Sequence, residues 1–341
     1  MRTPQALWSE FGVRNLLLAP LSAAFALAVG LRRFAYRRGW LASVAVGVPV
    51  LVVGNITAGG SGKTPLVIWL VEQLRAQGCR PGVVSRGYGG SVRGSMQVQH
   101  DSDPAQVGDE PLSILLRTGA PVVVGRDRVA AARTLLARHP GIDCIVSDDG
   151  LQHYRLQRDG EIAVLDAATG FGNGWLLPAG PLRESRSRMQ QVDAVVRVHR
   201  EGAVAVSSLP GWRVDYQAGK VWRLKAPQDV LPLSALPTVE WLAITGIGRP
   251  EGFFDMLTQH GIAFRARAFA DHHAFSPREL PADSAVLMTE KDAVKCLGFA
   301  GDDWWAVMLE VVPSRELTDW LQQWLHAHTV IASAQEEKHV V

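Results

Sequence analysis

An apolar run, a glycine-rich loop and an amphipathic helix follow one another without interruption between Val48 and Ala76. Val48 to Asn55 suits a buried parallel strand, and Lys63 to Ala76 places Leu66, Leu70 and Leu74 on one helical face. Between them lies Thr57-Ala58-Gly59-Gly60-Ser61-Gly62-Lys63-Thr64. Apart from Thr57 in place of the first glycine, it follows G-x-x-x-x-G-K-[ST] in the strand–loop–helix context that gives the pattern its meaning. Glycines let backbone N–H groups converge on phosphate oxygens, and the helix start adds its positive dipole end. The loop therefore predicts a nucleoside triphosphate site built from Thr57 to Thr64, with Gly59 able to supply the flexibility that Thr57 lacks. Lys63 is expected at the β- and γ-phosphates and the Thr64 hydroxyl on Mg2+. Pro65 fits a first helical turn, where no N–H bond is needed.

The pattern around the loop predicts an α/β, P-loop NTPase-type doubly wound parallel sheet. Strands are expected at 82–86, 121–125, 142–147, 161–166 and 193–198, and helices at 110–118 and 127–139, the latter capped by Asp127. Residues 211–224 predict a β-hairpin turning at Gln217-Ala218-Gly219-Lys220. After the Pro-rich stretch 227–237, strands at 240–245, 264–269, 285–289 and 304–311 alternate with helices at 250–260, 290–297 and 314–328. The resulting division is a membrane-associated helix over 1–40, a P-loop domain over 41–208, a hairpin linker over 209–237, a smaller α/β domain over 238–330 and a tail over 331–341. Cys144-Ile-Val-Ser-Asp148-Asp149 is an apolar strand ending in two carboxylates, the expected place for the acidic partner of magnesium; Asp148 is the first candidate and Asp149 the second.

Composition is that of a globular chain, 47% apolar and 20% charged, which argues against disorder. The net charge of +2 is unevenly spread. Arg2, Arg14, Arg32, Arg33, Arg37 and Arg38 face only Glu10 in the first forty residues, so the basic character sits at one end. Leu16 to Leu31 carries no charge and would make a helix of roughly 25 Å, short of a bilayer core of roughly 30 Å. With arginines and Phe34, Tyr36 and Trp40 beside it, the segment reads as a helix lying in an anionic membrane interface; a span, a buried core helix and a cleaved signal peptide are the other readings, the last without a clear A-x-A site before the basic cluster. Pro20 either kinks it or marks a first turn. No basic groove for nucleic acid is evident, and a monomer is expected. Cys79, Cys144 and Cys296, without a CxxC pair, read as small buried residues of a reduced compartment.

In chain order, VVGNITAGGSGKTP, VVSRGYGG, VGDEP, GRDR, SDDGLQH, LPAGPLRE and MTEKDAVKC resemble the tetraacyldisaccharide 4′-kinases of lipid A synthesis. The resemblance runs from about residue 10 to about residue 325. It implies transfer of the ATP γ-phosphate to the 4′-hydroxyl of a tetraacylated glucosamine disaccharide 1-phosphate at the cytoplasmic face of the bacterial inner membrane. A soluble P-loop kinase of a small sugar, or a nucleotide-switched regulatory ATPase, remains as an alternative.

A sugar hydroxyl is a weak nucleophile and needs a base. Asp109, in a loop before a helix, is the candidate; the residues alone also allow a helix cap, and the resemblance supports the catalytic role. The resemblance likewise implies that His272, in Asp271-His272-His273, partners Asp109. Lys63 completes the expected catalytic set. For substrate, Arg126 and Arg128 flank Asp127 and could stabilise a transferring phosphoryl group. Arg86 and Tyr88 could meet phosphate or sugar, and Arg183, beside Glu184, has the planar fork that suits a phosphate. Gln152 and His153 either orient the metal carboxylates or pack. Thr289-Glu290-Lys291-Asp292 either caps a helix or touches nucleotide.

Overall fold

A computed structural model of the chain describes Trp8 and residues 12–206, 208–281 and 283–336. Arg2 and Glu10 of the charge reading, and residues 337–341 of the expected tail, lie outside the described residues. The elements in chain order are α1 Val13–Arg37, β1 Val50–Gly54, α2 Lys63–Ala76, β2 Pro81–Ser85, β3 Ser95–Gln97, α3 Pro104–Val107, α4 Asp109–Thr118, β4 Val122–Gly125, α5 Arg128–Arg138, β5 Cys144–Asp148, β6 Gly160–Asp166 and β7 Ala194–Arg200. They continue as β8 Trp212–Arg223, β9 Ala226–Pro232, β10 Trp241–Thr245, α6 Glu251–Gln259, β11 Phe264–Ala268, β12 Val286–Thr289, α7 Glu290–Ala293, β13 Trp304–Pro313 and α8 Arg315–Glu336.

One sheet runs through the molecule in the order β11-β10-β12-β13-β8-β7-β6-β1-β5-β2-β4-β3, with β9 added to β8. Two parallel blocks make it up. The first contains β7, β6, β1, β5, β2 and β4. The second contains β11, β10, β12 and β13. They meet where β8, parallel to β7, runs antiparallel to β13. Both faces of the first block's central strands β1, β5 and β2 are covered, so every residue along them is buried. Along β1, Leu51 and Val53 enter one core cluster while Val50 and Val52 enter the other, the period of two that a pleated strand imposes.

The hairpin connector exists with a different turn. Ala218 and Lys220 stay in β8, paired with Leu309 and Met308, and Gly219 between them sits at a register shift. A side chain there would come within 2.6 Å of the Glu310 carboxyl. Gly219 is therefore a bulge residue in a twelve-residue strand, not a turn residue, and the chain reverses after Arg223 to form β9. The helix expected at 290–297 is shorter, with α7 ending at Ala293 and a 3-10 turn at Leu297–Phe299. The last helix runs on to Glu336, into the expected tail.

Helix α1 is an inversion of a soluble helix. It extends beyond the uncharged core to 25 residues, about 37 Å, so length alone permits a span. Its buried residues are Asn15 and Ser22, whereas Val13, Leu16, Leu17, Leu21, Leu27 and Leu31 are exposed. Pro20 lies inside it. The polar side faces the segment 171–184: Asn15 Nδ2 donates to the Ala179 carbonyl at 2.7 Å, and Ser22 Oγ donates to the Leu176 carbonyl at 2.9 Å while accepting from Ala179 N at 3.0 Å. The far end of that segment grips the phosphate loop, with Ala58 N donating to Pro181 O and Arg183 N to Ile56 O.

Candidate functional site

The first strand block carries the candidate ligand-binding residues at the carboxyl ends of β1 and β5, which lie side by side with Val53 opposite Asp148. The chain leaves β1 through Asn55 and crosses the glycine loop into α2. Gly59 takes φ +110° and Gly62 φ +79°, backbone angles that favour glycine. Gly59 thus provides the freedom that Thr57 does not, while Thr57 bridges Leu182 and its hydroxyl accepts from Asn55 Nδ2 at 3.3 Å. A side chain at Gly62 would strike Arg200 at 2.7 Å, and the Tyr216 hydroxyl donates to the Gly62 carbonyl at 2.5 Å. The N–H groups at the start of α2 are left facing the loop, an anion site by construction.

Lys63 Nζ is held between Asn55 Oδ1 and Asp149 Oδ1, each at 3.4 Å. The two adjacent carboxylates differ. Asp149, at φ +47°, faces Lys63 and also Arg183 Nη1 at 3.2 Å. Burial would raise its pKa, but those two cations prevail and hold it well below the usual range. Asp148 is 1% exposed; its Oδ2 accepts from Ser85 Oγ at 2.9 Å, and its Oδ1 is buried without a hydrogen-bond partner. Burial, then repulsion from Glu110 and Asp149, pushes its pKa to about 6. A buried carboxylate oxygen left unpaired is costly unless a cation takes it. The unpaired Asp148 oxygen therefore fits a cation such as magnesium. Among the described residues no group of three or more His, Cys, Asp or Glu forms a metal cage. Magnesium sites of this class use one or two protein oxygens plus phosphate, so that donor set is sufficient.

Asp109 opens α4 and is 5% exposed. His272 arrives from the second block, 163 residues away, in a turn after β11 where it holds φ +59°; its Nδ1 lies 3.0 Å from Asp109 Oδ2. Asp271 is only a distant neighbour of the ring, 3.9 Å from Nε2. Lys291 and Lys295 complete the surroundings at 4.0 and 3.9 Å from Asp109 Oδ2. Burial acts to raise the Asp109 pKa, but the His272 hydrogen bond and the Lys291, His272 and Lys295 charges outweigh it and lower the carboxyl. The same hydrogen bond raises His272 against burial and Lys291. Asp109 is a carboxylate at neutral pH, as a base must be.

Two of the proposed substrate contacts turn inward. Arg128 is 1% exposed and donates to the Gly125 and Asp148 carbonyls at 2.6 and 3.1 Å. It anchors the end of β5 instead of facing a ligand. Glu184, also 1% exposed, accepts from Gln152 Nε2 at 2.7 Å and Tyr154 OH at 2.5 Å and pairs with Arg188 at 3.5 Å. It too is scaffold in this arrangement, and Gln152 is held by it and by Asn55 O. Arg86, Arg126 and Tyr88 are exposed. The Tyr88 ring centroid is 5.4 Å from that of His272, which brings the RGYGG loop to the Asp109–His272 pair. His153 is half-buried; burial, then the charges of Arg128, Arg86 and Arg32, lowers its pKa to about 4, so it is neutral.

Sequence reasoning missed several participants. Ser85 was visible only as the residue before Arg86, and Asn55 only as the end of the β1 run. Arg249 donates to Gly60 O at 3.3 Å and pairs with Asp166, which also pairs with Arg200. No motif announces that cluster. Thr289 does cap α7, accepting from Asp292 N at 3.3 Å.

Residues 14–326 match the family model described as tetraacyldisaccharide-1-P 4′-kinase. A tetraacyldisaccharide 4′-kinase of Thiobacillus denitrificans is 64% identical over 318 residues, covering 93% of this chain and 97% of that one. The Chromobacterium violaceum protein of the same name is 49% identical, covering 91% and 94%. The crystal structure of LpxK from Aquifex aeolicus in complex with ATP superposes with a TM-score of 0.80 at 27% identity, covering 92% of this chain and 99% of that one. With a strand–loop–helix phosphate motif and a family match across nearly its whole length, this chain belongs to the tetraacyldisaccharide-1-phosphate 4′-kinase family.

Proposed function

We propose that this chain moves the γ-phosphate of ATP onto the 4′-hydroxyl of a tetraacylated glucosamine disaccharide 1-phosphate, with Asp109 as the base. The observation that carries the reading is the Asp109–His272 pair at 3.0 Å, with the Asp109 carboxylate buried. Glu110, the next residue, acts electrostatically on Asp148, which ties the pair to the end of β5.

The hydroxyl proton passes to the Asp109 carboxylate as the sugar oxygen bonds to Pγ and the bond from Pγ to the β-phosphate bridging oxygen breaks, leaving ADP. Lys63 and the start of α2 bind the phosphates and hold the γ-phosphate in line. Thr64 and Asp148 would hold magnesium, which when bound supplies positive charge to the phosphate oxygens. Arg183, whose Nη1 donates to both Asp149 oxygens, and exposed Arg86 and Arg126 offer cationic contacts for the substrate's anionic groups.

The exposed apolar side of α1 favours a bilayer partner, because a soluble surface rarely presents such a stripe. One side of α1 is docked on residues 171–184, which favours a helix lying in the interface over an isolated span. Anionic headgroups at the cytoplasmic face of the inner membrane would meet Arg32, Arg33, Arg37 and Arg38. Incubation with γ-labelled ATP, magnesium and the lipid disaccharide 1-phosphate tests the reading. Label should appear in lipid; label found only as inorganic phosphate overturns it.

A further inference from the structure

The His272 ring has contacts on both nitrogens, and they differ in kind. Nδ1 faces Asp109 Oδ2 at 3.0 Å, and Nε2 faces Lys291 Nζ at 3.3 Å. Lys291 also lies 3.4 Å from Asp271 Oδ1, 3.8 Å from Glu110 Oε1 and 4.0 Å from Asp109 Oδ2. An ammonium with three carboxylates around it keeps its proton, and an ammonium can only donate. A carboxylate can only accept. Turning the ring over would put carbon atoms against both partners and lose both contacts.

We propose that Lys291 is a positioning residue that fixes the neutral His272 tautomer, donating to Nε2 so that Nδ1 carries the proton and donates to Asp109. The inference rests on Asp109 being the base and adds what aims it. A proton on Nε2 instead would leave Nδ1 with its lone pair against the Asp109 carboxylate. The base would then face repulsion where it now accepts a hydrogen bond.

The frame around Lys291 is built for this. It sits in α7, capped by Thr289, and the next residue, Asp292, is fully buried. Asp292 accepts from Thr289 Oγ1 at 2.7 Å, Gly246 N at 3.0 Å, Thr245 Oγ1 at 3.0 Å and Lys295 Nζ at 2.8 Å. Gly246 in turn accepts from His272 N at 3.1 Å. Asp292 thus fixes both the helix that carries Lys291 and the turn that holds His272. Arg117 ties α4 to α7 through Glu290 at 2.7 Å, so Asp109 and Lys291 are set on one frame. Lys295 contributes charge near Asp109 from within the second block but does not reach the ring nitrogens. Burial opposes the Lys291 charge, but the Asp109, Glu110, Asp271 and Asp292 carboxylates raise its pKa, which keeps it a donor across the working range.

The tautomer is read directly by 15N NMR of the imidazoles in the full-length protein, with the His272 signal among ten histidines assigned by its loss in His272→Gln. Above the imidazole titration, wild type should show a protonated Nδ1 and a bare Nε2; a protonated Nε2 overturns the proposal whatever any variant does. Lys291→Met should shift the population toward protonated Nε2. It should also lower kcat at least about tenfold, as expected when a base loses its orientation, with Mg-ATP affinity within about twofold. Lys291→Arg, which can still donate, should recover most of kcat. A Lys291→Met enzyme with wild-type kcat and pH profile also overturns it. The parent reading fails separately, through Asp109→Ala retaining turnover.

Discussion

At the scale of single residues, the kinase reading stands on the difference between two carboxylates. Asp109 is kept charged by His272 and two lysines, and Asp148 is kept hungry for a cation by burial. Asp109→Ala should lower kcat by roughly 10²–10⁴-fold with little change in Mg-ATP affinity, measured by equilibrium binding beside turnover. Lost nucleotide affinity with intact turnover would remove Asp109 from the chemistry. His272→Ala should move the acid limb of kcat/KM to higher pH, because Asp109 loses the hydrogen bond that lowers it. The stability linkage has two signs. Depressed Asp109 contributes stability above its unfolded pKa that is lost as pH falls through the folded value. Raised His272 contributes below its unfolded pKa, and that part is lost as pH rises through its folded value. Thermal melts should therefore show the largest wild-type advantage over His272→Ala between the ordinary carboxylate and imidazole pKa values.

These residues were unequally legible. Thr57 to Thr64, Asp148 and the Asp127 cap are local patterns whose neighbours in sequence are their neighbours in space. Asp127 accepts from Val129 N and Ala130 N as the pattern required. The Asp109–His272 contact spans 163 residues, and only the family resemblance joined them. Arg128 misled because an arginine after a strand can equally face a ligand or satisfy carbonyls, and spacing does not say which way it turns.

At the scale of elements, Gly219 shows where local chemistry loses. Gln217-Ala218-Gly219-Lys220 has the composition of a turn, but pairing with β13 keeps it extended, and the glycine is used where Glu310 comes close. A long-range ladder outweighs a turn preference of about 1 kcal/mol or less. The α1 docking makes a prediction of its own. Ser22→Ala removes both a donor and an acceptor from a buried contact and leaves Ala179 N without its partner, while Leu176 O keeps only Gly180 N, a cost of about 1–3 kcal/mol. A lowered melting temperature in the intact protein checks it; an unchanged melt would show that the docking carries no weight.

At the scale of the whole molecule, two parallel blocks are joined through β8, and charged contacts cross between them at Arg249–Asp166, Arg117–Glu290 and Asp109–His272. The Asp109–His272 pair therefore forms only when both blocks are present. The arginine collar of α1 acts at this scale too. Reversing Arg37 and Arg38 to Glu should weaken binding to anionic vesicles by at least about tenfold per pair and flatten its salt dependence, at about 1 kcal/mol for each basic residue. Co-sedimentation across a salt series reads it, and unaltered sedimentation would place the anchor elsewhere.

Segment 171–184 holds α1 at one end and the phosphate loop at the other, through Ser22 and Leu176, then Pro181 and Ala58. A helix attached by a floppy tether would let the catalytic centre swing freely over a bilayer. In the proposed interfacial placement, a helix bolted beside the phosphate loop would make a gantry, with the γ-phosphate carried at one fixed height above the acyl chains. A lipid sliding beneath it need not leave the membrane, and the search for the right hydroxyl reduces to motion in a plane.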